Sequence, residues 1–141
     1  MAVAVETAMR DWINARPDLV GTGNPLSGGA YLKAQRSPAS GCYAVITRDP
    51  SPSRTLAAEG EGPSLYRISA QVFGGTTDLA EAAATGLANA WQDLNGSPEP
   101  LGKGGARVYV SDNLTGPSYV GQPADSGELY CFAVASDFVI G

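Results

Sequence analysis

The sequence predicts a single α+β domain in which two helices and several short strands share one core. Its 141 residues fit one domain of ordinary size. Two stretches repeat apolar residues every three or four positions, as helices do, and others alternate or run apolar over a few residues, as strands do. The 18 glycines and 10 prolines cluster between these stretches and mark the turns.

The first predicted element is a helix over Val3–Ala15. Apolar side chains recur at helical spacing along one face, and polar residues such as Glu6 lie on the other. Pro17 ends this helix, because a proline pushes the residue before it out of the helical region. Residues 21–29 are then expected to form a loop. The predicted buried face consists of Val5, Ala8, Met9, Trp12 and Ile13.

Two short strands are predicted next, over Ala30–Gln35 and Cys42–Arg48. The segment from Asp49 to Pro63 cannot supply core, since it holds three prolines, several serines and the acidic pair Glu59 and Glu61. We expect a long loop or a hairpin arm that projects into solvent. Arms of this kind in compact domains are mainly functional, so the segment is a candidate contact region.

Leu65–Phe73 alternates apolar and polar residues, which predicts a strand with one inward face. After a glycine turn, a second helix is predicted over Asp78–Leu94, with Thr77 or Asp78 as its cap. The stripe expected to face the sheet consists of Leu79, Ala83, Leu87, Ala90, Trp91 and Leu94.

Three alanines, Ala80, Ala84 and Ala88, form a smooth third side of the second helix. Small side chains allow another backbone to approach closely, so this side is a possible contact for a neighbouring subunit. The alternative is that these alanines serve helix propensity alone. Gly86 costs the helix about 1 kcal/mol relative to alanine and therefore indicates close packing at that point.

The closing strands are predicted over Arg107–Ser111 and Leu129–Ile140, after a loop at Asn95–Gly105, and the final strand is expected to be the longest. Neither face of that strand carries a charge before Asp137. An antiparallel strand with one wet face shows polar alternation, so we expect both faces to be covered. Helices would cover one face, and a second subunit or the long loops would cover the other.

The composition disfavours nucleic-acid binding. The net charge is −5, whereas phosphate binding depends on clustered Lys and Arg. Repulsion from DNA suits a channel through which DNA slides, although acidic proteins are common for other reasons. Only 16% of the residues are charged, which leaves much uncharged surface and favours its coverage by other subunits.

We expect no targeting segment from this sequence. Met1–Arg10 lacks the basic start and apolar stretch of a signal peptide, and no apolar run reaches the roughly 18 residues of a membrane helix. We expect a soluble protein that is cytoplasmic when made. Cys42 and Cys131 are then expected to be reduced, buried thiols rather than a disulfide.

The residues of common catalytic and metal sites are missing. There is no histidine, which removes the commonest general base and the usual triads and zinc sites. Ser97–Gly105 resembles a phosphate-binding loop but lacks its first glycine and its final Ser or Thr. Helix capping explains Asp78 and Glu81, and a solvent loop explains Glu59 and Glu61. We predict no catalytic residue, cofactor or metal.

Three stretches combine with the order of the elements into a recognisable pattern. They are the helix Val5–Arg16, the run Tyr66–Gly74 leading into the Asp78–Leu94 helix, and the closing Gly116–Phe132 segment with its words Gly-Pro-Ser-Tyr and Ser-Gly-Glu-Leu-Tyr-Cys-Phe. This pattern resembles the tail terminator, or tail completion, proteins of long-tailed bacteriophages, particularly phages of actinobacteria. It departs at Leu129, where a basic residue is expected in many relatives, so no salt bridge is carried over there.

The resemblance implies a mainly antiparallel or mixed sheet with both helices on one face and a projecting loop or hairpin arm. It implies a non-enzymatic virion protein, assembled in the host cytoplasm, whose six copies form a ring. Such a ring caps the head-proximal end of the tail tube, ends tube polymerisation and joins the tail to the head. The implied partners are sister copies, the major tail tube protein and a head-closure or connector protein of the neck. Genomic DNA would pass through the lumen without specific binding, and no membrane is involved.

The expected contacts with sister subunits or the tube lie on the arm, the outward face of the Leu65–Phe73 strand and the alanine side of the second helix. The candidate residues are Arg48, Arg54, Glu59, Glu61, Arg67, Ala80, Ala84 and Ala88. Two other functions stay open. One is another neck component, such as a head-closure protein on the portal side, and the other is a monomeric small-molecule-binding accessory domain.

Overall fold

The computed structural model describes residues 5–21, 23–32, 41–48, 54–55, 64–94, 99–101, 106–122 and 129–140. Two helices and seven strands lie in these ranges. The helices are α1, Val5–Asn14, and α2, Thr77–Asp93. The strands are β1 (Ala30–Tyr31), β2 (Tyr43–Arg48), β3 (Arg54–Thr55), β4 (Ser64–Gly74), β5 (Glu99–Leu101), β6 (Ala106–Gly121) and β7 (Tyr130–Ile140).

All seven strands belong to one mixed sheet with the order β1-β2-β4-β7-β6-β5, and β3 pairs with β4. Of the six described strand pairs, β1–β2 is parallel and the other five are antiparallel. The pairing of β4 with β7 is the most regular, since it runs in register from Ser64 opposite Ile140 to Gly74 opposite Tyr130. The predicted α+β class with a mainly antiparallel sheet is confirmed.

Both helices pack on the same face of the sheet and enclose the main core. Every residue of the predicted α1 stripe is buried there, because 3.6-residue periodicity brings these side chains onto one side of the helix. The three central strands contribute every second residue to the same core. These are Ala44 and Ile46 of β2, Ile68, Ala70 and Val72 of β4, and Phe132, Val134 and Phe138 of β7.

Helix α2 buries most of the predicted stripe but differs from the prediction at its first turn. Its cap is Thr76, whose Oγ1 accepts a hydrogen bond from the backbone N–H of Leu79 at 3.1 Å, rather than Thr77 or Asp78. Leu79, which was predicted to face the sheet, is 57% exposed. The other five residues of the predicted stripe, Ala83, Leu87, Ala90, Trp91 and Leu94, are buried as predicted. The buried face is wider than predicted, because it also includes Ala80, Ala84 and Ala88.

The predicted subunit contact at Ala80, Ala84 and Ala88 is therefore wrong. All three side chains are buried in the core of their own chain. Their small size serves the close approach of α2 to its own sheet rather than to a neighbour. Gly86 marks a second close contact, as its sequence position suggested. A Cβ atom at this position would lie 3.4 Å from Pro25, so the segment before β1 packs against α2 here.

Strand β6 is longer than the predicted Arg107–Ser111, and its 16 residues make it longer than the final strand. Its pairing with β7 continues to Gly121 through four register shifts. Gly116 has a φ of +94°, and a side chain there would collide with the carbonyl oxygen of Ala133. Glycine thus lets the irregular strand stay on the sheet. The predicted loop at Asn95–Gly105 contains β5, which pairs with the start of β6.

The arm predicted over Asp49–Pro63 is described only at Arg54–Thr55. There β3 pairs with Leu65 and Ser64 at the start of β4, so this part of the segment belongs to the sheet. The rest of the segment, with Glu59 and Glu61, lies outside the described residues.

Candidate functional site

The face of the sheet opposite the helices is only partly covered by the described part of the chain. We call it the helix-free face. Its centre consists of side chains that stand directly opposite one another on β4 and β7 and therefore share a face. The register pairs are Arg67 with Asp137, Ser69 with Ala135, and Gln71 with Ala133. Gln71 is exposed, and the other five are half-buried.

One polar network ties three strands together on this face. The Arg67 guanidinium lies 3.0 Å from the Asp137 carboxylate and also donates to Thr115 Oγ1 of β6 at 3.0 Å. Asn113 of β6 donates to the second Asp137 oxygen at 2.9 Å. Arg67 and Asp137 thus neutralise one another within this network.

At one end of the sheet this face is covered within the chain. The rings of Tyr43 and Phe73 stack with centroids 5.0 Å apart, and Tyr31 meets Tyr43 edge-on at 5.9 Å. Cys131 completes this small cluster, and Leu129 packs against it. This cover does not extend along the whole face. Of the β7 residues that point to this side, Cys131 is buried and the others are only partly buried.

Strand β7 is therefore covered on both sides only in part. Toward the helices, the alternate residues from Phe132 to Ile140 are buried, as predicted. On the helix-free face, Ala133, Ala135, Asp137 and Val139 remain half-exposed. Neither the helices nor the described loops supply the second cover that the uncharged sequence led us to expect.

Both cysteines are free and buried, as predicted. Cys42 belongs to the main core, and Cys131 belongs to the small cluster on the opposite face. Burial raises the pKa of the Cys42 thiol and raises the pKa of Cys131 to about 11. Such thiols are weak nucleophiles at neutral pH, because the reactive thiolate is disfavoured.

The described residues among the predicted contacts do not converge on one surface. Arg48 ends β2 on the helix side, where its Nε lies 3.7 Å from Glu6 of α1 and its guanidinium lies over the ring of Tyr66 at 5.9 Å. Arg67 lies on the opposite, helix-free face. Arg54 opens β3, opposite Leu65.

The sequence did not indicate three exposed apolar residues: Leu79, Tyr119 and Val120. All three lie near the end of the sheet where β4 and β6 finish and β2 and β7 begin, which we call the α2 end. Tyr119 packs on Phe132 with ring centroids 5.3 Å apart yet stays 57% exposed. The exposure of these side chains depends on tertiary packing, so a local sequence pattern does not predict it.

Within the described ranges, no group of three or more Cys, Asp or Glu residues is placed to hold a metal ion. No helix in the same ranges is long and apolar enough to cross a membrane.

Comparison of the chain with protein-family models and with curated proteins gives no match. What the protein does is therefore inferred from its surfaces and from the resemblance described above.

Proposed function

We propose that this chain is a structural subunit of a closed ring of six copies that caps the head-proximal end of a bacteriophage tail tube. The ring stops tube polymerisation and offers a surface to the neck proteins of the head. The partners are sister copies, the major tail tube protein and a head-closure or connector protein. The protein performs no catalysis in this role.

The observation that carries the proposal is that the helix-free face is only partly covered within the single chain. Its centre carries the small or uncharged side chains of Ser69, Gln71, Ala133 and Ala135 beside the Arg67–Asp137 ion pair. A partner can cover small and uncharged side chains at little desolvation cost, and the opposite charges of the ion pair offset one another. A sister copy that covers this face would give β7 the second cover that the single chain lacks.

Two further features support a ring around DNA. The resemblance to tail terminators extends over nearly the whole chain and implies cyclic assembly. A net charge of −5 disfavours adhesion of DNA to the protein, as a lumen requires if the genome is to slide through it. A head-to-tail contact between copies closes into a ring when its rotation fits a whole number of subunits.

Electron microscopy of particles assembled without this protein tests the proposal. We expect tubes that grow beyond their normal length, because nothing ends their polymerisation. Tails of normal length beside unattached heads would contradict the proposal and would indicate a neck connector. Normal virions would contradict any structural role in the tail.

A further inference from the structure

A groove around Leu79 forms a second exposed apolar surface, at the α2 end of the sheet. Cavities of about 280 and 340 Å³ flank this side chain. Pro25 and Ala82 line the first, Leu129 lines the second, and Cys42 lines both. We call this surface the Leu79 groove. Its partner must offer apolar surface, because Leu79 is an exposed large aliphatic residue between two cavities.

The rim of the Leu79 groove is acidic. Asp78 and Glu81 line a third cavity, which shares Ala82 with the first. Glu6, Asp11, Asp18 and Asp137 each pair with an arginine, whereas the described ion pairs include no acidic side chain of α2. The helix dipole explains Asp78 in the first turn, but Glu81 lies beyond that turn. The rim therefore favours a partner with a cation.

Arg48 provides both an apolar stem and a guanidinium that can form a further ion pair. Its side chain is 45% exposed, and its ion pair with Glu6 is long at 3.7 Å and is not a hydrogen bond. Its guanidinium lies over the ring of Tyr66, so an apolar surface accompanies the charge. Arg10, Arg16 and Arg67 make closer contacts of 2.8–3.0 Å with carboxylates.

The Leu79 groove and Arg48 cannot meet within one copy. The Cys42 thiol donates to the backbone carbonyl of Leu79 at 3.4 Å, which places the groove beside the start of β2. Arg48 ends that strand, and six residues of extended chain span about 20 Å. This separation exceeds the screening length of about 8–10 Å at moderate salt. The two surfaces can therefore complement one another only between molecules.

We infer that the Leu79 groove receives the Arg48 end of a second copy of this chain. The arginine stem and the Tyr66 ring cover Leu79, and the guanidinium meets Asp78 and Glu81. Because the two surfaces differ, the contact is head-to-tail and leaves each copy with one surface of each kind for its neighbours. The inference rests on the proposed ring and names one contact within it.

Charge reversal tests this contact. Glu81→Lys and Arg48→Glu each place like charges together between copies, and we expect each to weaken self-association on the order of tenfold or more. The double variant restores the attraction and should regain most of the lost association. Asp93→Lys is the matched control, since it makes the same charge change on α2 away from Leu79. Sedimentation velocity measures assembly, alone and with purified tail tubes, and circular dichroism checks folding.

The outcomes separate the contact from the ring. Loss in both single variants, recovery in the double variant and no loss in Asp93→Lys support the contact. Rings that form equally well in Glu81→Lys overturn it while leaving the proposed function intact. A wild-type protein that assembles neither alone nor on tubes overturns both. Arg48→Glu also faces Glu6 within its own copy, so Glu81→Lys decides the matter if the former does not fold.

Discussion

The two faces of strand β7 differ in how far a single chain buries them. Toward the helices, Phe132, Val134 and Phe138 are buried, and Trp91 of α2 closes over Phe138 with ring centroids 5.3 Å apart. On the helix-free face, Ala133 and Ala135 alternate with these residues along the same strand and remain half-exposed. A single chain therefore buries one face of its central sheet and leaves the other face partly exposed.

This difference separates folding from assembly. Large apolar side chains on the helix side are withdrawn from water when the chain folds, at about 25 cal/mol per Å² of apolar surface. The small side chains of the helix-free face obtain the same gain only when a partner covers them. Substitutions on the helix side should change the free energy of unfolding, and substitutions on the helix-free face should change self-association.

The largest effect is expected from Trp91→Ala, which empties the centre of the helix side. The indole is fully buried and its N–H has no hydrogen-bond partner, so the loss is one of packing. We expect the free energy of unfolding to fall by about 3–5 kcal/mol in denaturant titrations. Tyr119→Ala is the control, because this exposed ring also packs on a phenylalanine and should cost less than about 1 kcal/mol. Equal losses would contradict the contrast between covered and open surfaces.

The next effect is expected from Gln71→Glu, which puts a charge of nearly the same shape on the helix-free face. Gln71 is exposed in the single chain, so the free energy of unfolding should stay within about 0.5 kcal/mol of the wild type. Covering the new carboxylate would require its desolvation, so ring formation should weaken about tenfold or more in sedimentation experiments.

Gln92→Glu on the exposed side of α2 is the matched control and should assemble normally. If Gln71→Glu assembled as well as Gln92→Glu, the helix-free face would not be the covered surface.

The sequence predicts the elements whose periodicity has a single interpretation. The α1 stripe and the alternation of β4 each allow one buried face, and the structure buries those faces. Helix α2 is different because alanines surround most of it. Its apolar face is therefore wide, and the periodicity does not show which edge of that face meets solvent. Five of the six predicted stripe residues are buried, whereas Leu79 is exposed. Contact with the sheet selects Ala80 over Leu79, and that choice is made by tertiary packing.

The full extent of β6 could not be predicted for a related reason. Asn113, Gly116 and Pro117 are residues that normally end strands, yet the pairing with β7 continues past them. The alternation of β4 predicts that Arg67 points away from the core, and Arg67 does lie on the helix-free face. The groove around Leu79 could not be found from the sequence, because the pattern of α2 does not show that Leu79 lies outside its buried face.

The smallest effect is expected from the Arg67–Asp137 pair at the centre of the helix-free face, whose coupling can be compared between the single chain and the ring. In the single chain both groups retain contact with water, with side chains 33% and 21% exposed, so solvent screens their attraction. A double-mutant cycle with Arg67→Met and Asp137→Asn should give a coupling of about 0.2–1 kcal/mol that decreases as salt is added. The measurement is the free energy of unfolding at concentrations where the protein is dissociated.

The same cycle measured on ring assembly should behave differently. A sister copy that covers the pair excludes water and mobile ions, so the coupling should become larger and less dependent on salt. The polar network with Asn113 and Thr115 would hold both groups in place during this desolvation. A coupling that is equally small and equally screened in the ring would mean that the pair stays in water after assembly. The cover over β7 would then have to lie elsewhere on the face.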